Sequence, residues 1–214
     1  MTEGLSPGER ASANERRRRQ YAEEASSYDR ESDLTERWLL GTEHRGWACS
    51  RARGNTLEVA IGTGLNLPHY PPDVRLAGLD LTPEMMAFAR RRAEDLARRV
   101  TLSQGDAQAL PFADSTFDTV VSTYAMCTVP DERLTILEMK RVLRPGGRLI
   151  LVDHVRSSVK PFYWLQRLLE LAPRRNGDEL TRRPLTHVLA AGFTIEEVDR
   201  LRAGIVERLV ARKP

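Results

Sequence analysis

Apolar positions along the chain fall into two alternating rhythms. Short runs rich in branched residues, of strand length, recur between longer stretches in which apolar residues return every three or four positions. Leu57–Ile61, Val74–Asp80, Val100–Ser103, Thr116–Ser122 and Arg148–Asp153 predict five strands. Helices are predicted over Pro83–Ala97, with the stripe Met85, Met86, Ala89, Ala93 and Leu96 and Thr82 as cap, and over Glu132–Leu143, stopped by Pro145-Gly146-Gly147. Further helices are expected around Pro161–Leu171 and Arg182–Ala191, the latter closed by Gly192. Phe193–Val198 and Ile205–Ala211 complete the set, and the link between them is too short for a crossover helix, so if they pair they pair antiparallel. Ahead of the alternation, Asn14 to about Trp47 reads as helical, with Tyr21, Ala25, Tyr28, Leu34, Trp38 and Leu39 as its apolar positions, and residues 1–12 read as disordered. The pattern predicts one doubly wound α/β domain with a mostly parallel sheet. Residues 1–20 are expected to be a flexible Arg-rich tail, and 21–214 a single domain with an N-terminal helical lid.

A chain of 214 residues, 41% hydrophobic and 29% charged, suits one folded domain and excludes a disordered or collagen-like polymer. The longest apolar runs are strand-sized, far short of a membrane span. The first thirty residues carry no apolar stretch, so no secretory signal is expected. Cys49 and Cys127 form neither a disulfide framework nor a CxxC pattern. These features predict a cytoplasmic protein. The net charge of +3 does not argue for nucleic acid, and Arg16 to Arg19, interspersed with Glu15, Glu23 and Glu24, read as a solvated helical face.

The first predicted strand runs into Gly62-Thr63-Gly64, a turn that lets backbone approach a ligand at the carboxyl edge of a parallel sheet, where such folds bind their ligands. A dinucleotide fingerprint needs a third glycine at position 67, where this chain has Leu67 followed by Pro68, which weighs against NAD. Glu58 lies mid-strand, and a buried carboxylate there is costly unless paired. Asp80 ends the second strand, placed to accept from both hydroxyls of a ribose. Asp106 follows the third strand, placed to accept from an exocyclic amine while Ala107 donates its backbone N–H. No His, Asp or Glu cluster has metal-ligand spacing, so no metal is expected.

Five linked motifs carry a resemblance: ExAxGxG at 58–64, LDLTPEM at 79–85, GDAQALPF at 105–112, FDTVVST at 117–123 and LRPGGRLILVDHV at 143–155. Together they resemble class I S-adenosylmethionine-dependent methyltransferases of the type 11 group. The resemblance implies a Rossmann-like sheet of seven strands, mostly parallel with the last antiparallel, and S-adenosylmethionine as cofactor, released as S-adenosylhomocysteine. It places Glu58, Gly62 and Gly64 at the methionine part, Asp80 at the ribose, and Asp106 with Ala107 at the adenine. Tyr28, Ala60, Asn66, Leu81, Met85 and Thr123 complete the candidate cofactor set, with Ala60 standing where the family usually has glycine. Ser122–Cys127 lacks the prolines of the motif used to methylate nucleobase amines. Tyr124–Asp131, Asp153-His154-Val155, Trp164, Gln166, Gly177, Leu180, Arg182 or Arg183 and Ala191-Gly192-Phe193 resemble the branch of alkyl-thiol methyltransferases and their bacterial relatives labelled phosphatidylethanolamine or quinone methyltransferases. The acceptor implied is a small lipophilic thiol, amine, phenol or quinone.

His154, at the end of the fifth strand, is the candidate base, with a hydrogen-bonded structural role as the equal alternative. Asp153 is adjacent, and neighbouring strand residues point to opposite faces, so direct pairing is not expected. His44, His69 and His187 read as surface or packing residues, and Cys127 as a buried small hydrophobe. The apolar segment Phe162-Tyr163-Trp164-Leu165, with Leu168, Leu169 and Leu171, reads mainly as core, with an acceptor wall or a membrane-surface contact as its functional alternatives. Two other functions remain open at this point: an NAD-dependent oxidoreductase, and a non-catalytic binding protein of the methyltransferase fold.

Overall fold

A computed structural model of the protein describes residues 5–171 and 179–214. The predicted alternation becomes a seven-stranded sheet: β1 (Asn55–Val59), β2 (Arg75–Asp80), β3 (Val100–Gln104), β4 (Phe117–Thr123), β5 (Leu143–His154), β6 (Thr194–Leu201) and β7 (Val206–Arg212). Their spatial order is β3-β2-β1-β4-β5-β7-β6. The pairs from β3 through β5 are parallel, whereas β7 runs antiparallel to both β5 and β6. The short link after β6 forces that reversal. Chain order reverses between β1 and β4, so the crevice of this open sheet lies beyond the carboxyl ends of those two strands.

The strands read as nearly continuous apolar runs because both faces are covered. Alternate residues partition between two cores: Leu57, Val120, Leu149 and Leu209 pack on one face, Val121, Ile150, Val152 and Val210 on the other. The first face is covered by α5 (Glu132–Val142) and α7 (Pro184–Ala190), through Ile136, Met139 and Val188. The second is covered by α3 (His44–Cys49) and α4 (Pro83–Asp95), through Ala48, Met86 and Ala93. Between β1 and β2 the chain forms only a 3-10 turn, Leu67–His69.

Several expectations need correction. Residues 7–20, expected as a flexible tail and partly as disorder, belong to α1 (Pro7–Glu24). Its start is a capping box: Ser6 Oγ accepts from the Glu9 N–H, and Glu9 accepts from the Ser6 N–H. The helical stretch expected from Asn14 to about Trp47 is divided into α1, α2 (Tyr28–Thr35), a π-helical turn Glu36–Leu40 and α3. Leu34, Trp38 and Leu39 are exposed. Thr82 occupies the cap position of α4 without a side-chain capping bond. Asp80 Oδ1 accepts from the Thr82 N–H instead. Helix α5 ends before Pro145, because Leu143 already pairs with Phe117. Residues Pro145–Gly147 therefore form an irregular stretch within β5. The apolar segment on α6 (Lys160–Leu171) is not core: Phe162, Trp164, Leu165, Leu168 and Leu169 are all exposed. Gly177 and the side chain of Leu171 lie outside the described residues.

Candidate active site

The carboxyl edge of the sheet holds a cavity lined by Ala60 and Gly62 after β1, Asp80 to Thr82 after β2, Gly105 to Ala107 after β3 and Thr123 to Ala125 after β4. Met85 forms part of its wall, and Asn14, Arg17, Tyr21 and Tyr28 roof it. Strand ends put these residues together, since each parallel strand delivers its last residues to the same rim.

Asp80 is buried and holds the rim in shape. Its Oδ2 accepts from the Gly62 N–H at 2.8 Å and its Oδ1 from the Thr82 N–H at 2.9 Å. Burial pushes its carboxyl above the usual range, and those backbone donors oppose the push. Asp80 also lines the cavity, so its carboxylate borders the space a ligand would occupy. Gly62 has a positive φ of 57°, and a Cβ added there would meet only Met85 Cε, at 3.7 Å, so this side of the turn is open. Gly64 serves a different purpose. A Cβ there would come within 2.8 Å of Leu67 and 3.1 Å of the Ala89 backbone, so Gly64 lets α4 approach and does not line the cavity. Ala60 does line it, with φ of 59°.

Asp106 Oδ1 accepts from the Gln108 N–H at 2.8 Å, and its Oδ2 accepts from Asn14 Nδ2 at 2.7 Å. The second bond ties α1 across the cavity. A second tie comes from Asp29 on α2, whose carboxylate accepts from Thr63 Oγ1 at 2.5 Å and from Arg92 on α4, while Arg92 also donates to the Thr63 carbonyl at 2.9 Å.

Glu58 and Asn66 lie below the cavity, within a buried polar network. Glu58 Oε1 accepts from Asn66 Nδ2 at 2.8 Å, and Asn66 Nδ2 also donates to Thr123 Oγ1 at 2.9 Å. Arg45 donates to Asn66 Oδ1 at 3.1 Å, to Thr123 Oγ1 at 3.0 Å and to Glu36 Oε1 at 2.6 Å. Its guanidinium also lies over the Tyr124 ring, 5.1 Å from the centroid. Burial pushes Glu58 up to about 7, against the pull of Tyr70, Asn66 and Arg45. Only Thr123 of this network reaches the cavity, so Glu58 and Asn66 support the β1 turn from beneath.

A second pocket adjoins the first through Tyr21, Tyr28, Tyr124 and Thr128, which line both. His154 and Cys127 lie in its wall with Glu24, Glu31 and Glu36. Cys127 is buried, as expected, yet touches this pocket. Asp153 is turned into the core, where its Oδ2 accepts from the Met126 N–H at 3.2 Å. It does not orient His154 from its own strand position. Of the candidate residues, Tyr28, Ala60, Gly62, Asp80, Leu81, Met85, Asp106, Ala107 and Thr123 line the first cavity, and His154 lies in the adjoining pocket. Sequence reasoning missed Asn14, Asp29, Arg45 and the position of Tyr124. Of these only Arg45, a charge amid the packed residues of α3, left a visible trace.

Residues 57–151 match the sequence model of the methyltransferase domain family. That stretch of the chain is similar to a methyltransferase domain. Relatives share the region: a phosphatidylethanolamine N-methyltransferase from Cereibacter sphaeroides is 39% identical over 118 residues, which cover 54% of this chain and 58% of the relative. A ubiquinone/menaquinone biosynthesis C-methyltransferase from Paracoccus denitrificans is 35% identical over 153 residues, covering 66% of this chain and 60% of the relative. The chain thus spans somewhat over half the length of these curated relatives. Among solved structures, a SAM-dependent methyltransferase from Thermotoga maritima superposes with a TM-score of 0.68 at 21% identity, covering 92% of this chain and 99% of the other. The 4+2 cyclase SpnF superposes at 0.65 with 20% identity, over 79% and 78% of the two chains. Both likenesses concern the fold of the methyltransferase domain, and the cyclase shows that this fold alone does not select the reaction.

Proposed function

We propose that the protein transfers the methyl group of S-adenosylmethionine to a small lipophilic acceptor, a thiol, an amine or a phenol or quinone, leaving S-adenosylhomocysteine. The observation that carries this reading is the junction of the two pockets. A cavity with ribose- and amine-accepting carboxylates, Asp80 and Asp106, opens past Tyr28 and Tyr124 onto a pocket holding His154. The relatives named for a phospholipid amine and for quinones support the acceptor class. A dinucleotide is disfavoured, because residue 67 is a buried leucine in a 3-10 turn. No helix N-terminus follows the glycine turn to receive a pyrophosphate.

The residues present fit the cofactor: the Asp80 carboxylate lines the cavity, and the Gly62 side of the turn is open. When bound, it supplies an electrophilic methyl group on a sulfonium. Asp80 would then hold the ribose hydroxyls, Asp106 and the Ala107 N–H would read the adenine edge, and Tyr21, Tyr28 and the α1 roof would exclude water. Methyl transfer is an in-line displacement, so most of the work is positioning. His154, in the wall of the adjoining pocket, would take the proton that a thiol, amine or phenol acceptor loses.

Calorimetry tests the cofactor. S-adenosylhomocysteine should bind and NADH should not, and Asp80→Ala should weaken binding at least tenfold, about 1.4 kcal/mol. NADH binding without S-adenosylhomocysteine binding overturns the reading. Labelled methyl transfer to a panel of lipophilic thiols, amines and phenols tests the reaction; no transfer to any of them leaves a binding protein. His154→Ala should lower turnover by about 10²-fold or more, with S-adenosylhomocysteine affinity unchanged. Normal turnover in that variant removes the base assignment.

A further inference from the structure

Helix α6 is built inside out. A helix on the surface of a water-soluble protein turns its apolar stripe to the core and its polar face to solvent. In α6 the side chains facing the protein are polar. Gln166, buried, accepts from the Ser157 N–H at 2.7 Å and donates to the carbonyls of Val155 at 2.9 Å and Leu180 at 3.2 Å. Glu170 accepts from both the N–H and the hydroxyl of Thr181, each at 2.9 Å. The outward face is apolar: Trp164 is 68% exposed, Leu168 65%, Leu165 50% and Phe162 44%. Polar hydrogen bonds therefore fasten the helix while its oily face looks away, the arrangement of a contact surface.

Charge around that face identifies what it meets. Arg156 and Lys160 are exposed at the start of α6. Arg202 is exposed on the turn whose next residue, Ala203, accepts from Ser157 Oγ at 2.7 Å. Glu170 is the single acid in the sequence of α6, and it is occupied by Thr181 and by Arg167 at 3.1 Å. An apolar face with an exposed tryptophan and a basic rim is the composition of a helix lying in the interface of an anionic bilayer. A second copy of the chain fits poorly, since self-association would bring two basic rims together. At 12 residues α6 is too short to span, and among the described residues no helix is long and apolar enough to cross a membrane.

We propose that α6 seats the protein on an anionic lipid surface, with Trp164, Leu165 and Leu168 among the acyl chains and Arg156, Lys160 and Arg202 at the headgroups. Only residues 155–159 separate His154 from α6, so its pocket stays within roughly 20 Å of the seated helix. An acceptor dissolved in the bilayer is then delivered beside the site.

The test is co-sedimentation of the full chain, without cofactor, with vesicles of phosphatidylcholine alone or with added phosphatidylglycerol. The wild type should pellet with the anionic vesicles and be released by salt. Trp164→Ser combined with Leu168→Ser should lower partitioning at least tenfold. The thermal unfolding transition of that variant should match the wild type and certifies its fold. Absence of wild-type binding, or equal binding by the variant, overturns the proposal. So does loss on Trp38→Ser alone, which moves the anchor to the π-helical turn, or a concentration-dependent dimer abolished by the α6 variant, which makes the partner a second copy. Because vesicle binding is measured without cofactor or turnover, it stands or falls separately from the methyl-transfer reading.

Discussion

At residue 60 a methyl group sits on left-handed backbone. The φ of 59° costs an L-residue about 1–2 kcal/mol, a strain glycine would not carry. Part of the relief in Ala60→Gly is offset by about 0.4–1 kcal/mol of added unfolded-state entropy. The variant should therefore gain up to about 1 kcal/mol in urea unfolding, with S-adenosylhomocysteine affinity no weaker than wild type. Tyr124, with φ of 55° between the two pockets, carries the same kind of strain at a position its side chain makes useful. Individual residues differed in how far the sequence revealed them. Asp80, Asp106 and Gly62 end strands or open turns, and position on the carboxyl edge is a local property. Glu58 and Asn66 look equally placed in sequence, yet they lie beneath the cavity. Their surroundings are set by Arg45 and Tyr70, from segments whose approach no local pattern records.

Among the elements, α2 matters more than its eight residues suggest, because Asp29 pins it to Thr63 of the glycine turn and to Arg92 of α4. Asp29→Ala should cost under about 1 kcal/mol of stability, since the ion pair is partly exposed, with side-chain exposures of 40% for Asp29 and 25% for Arg92. It should weaken S-adenosylhomocysteine binding several-fold by calorimetry, because the turn and its cover come loose together. An unchanged affinity would show that α2 is indifferent to the site. The strands and α4, α5 and α7 were legible because burial stamps a period on them. The start of α1, ahead of Asn14, was not, because none of the helix's residues is buried and only Ser6 and Glu9 announce its beginning. The orientation of α6 was equally hidden: a two-faced helix is visible in sequence, but which face turns inward depends on Val155, Ser157 and Thr181.

The whole molecule stores charge-burial strain in its carboxylates. Glu58 and Glu132 are each pushed up to about 7, chiefly by burial, and Asp80 and Asp153 are raised by the same cause. A carboxyl whose folded pKa exceeds its unfolded value near 4.5 favours the fold fully below that value and loses the contribution as pH climbs through about 7. Stability should therefore decline between about pH 4.5 and 7. Glu58→Gln, which keeps an acceptor for Asn66, should flatten the decline and raise the melting temperature at pH 8 by at least about 2–4 °C, the shift expected for about 1 kcal/mol in a chain of this size. An equal gain at pH 4.5 and 8 would assign the effect to packing. The roof bears on the molecule as a working cycle. While Asn14 holds Asp106, α1 stays fastened over the cavity. On the proposed reading, an adenine reaching Asp106 would displace Asn14 from it, and the turn at residues 25–27, where α1 gives way to α2, would let the roof move aside.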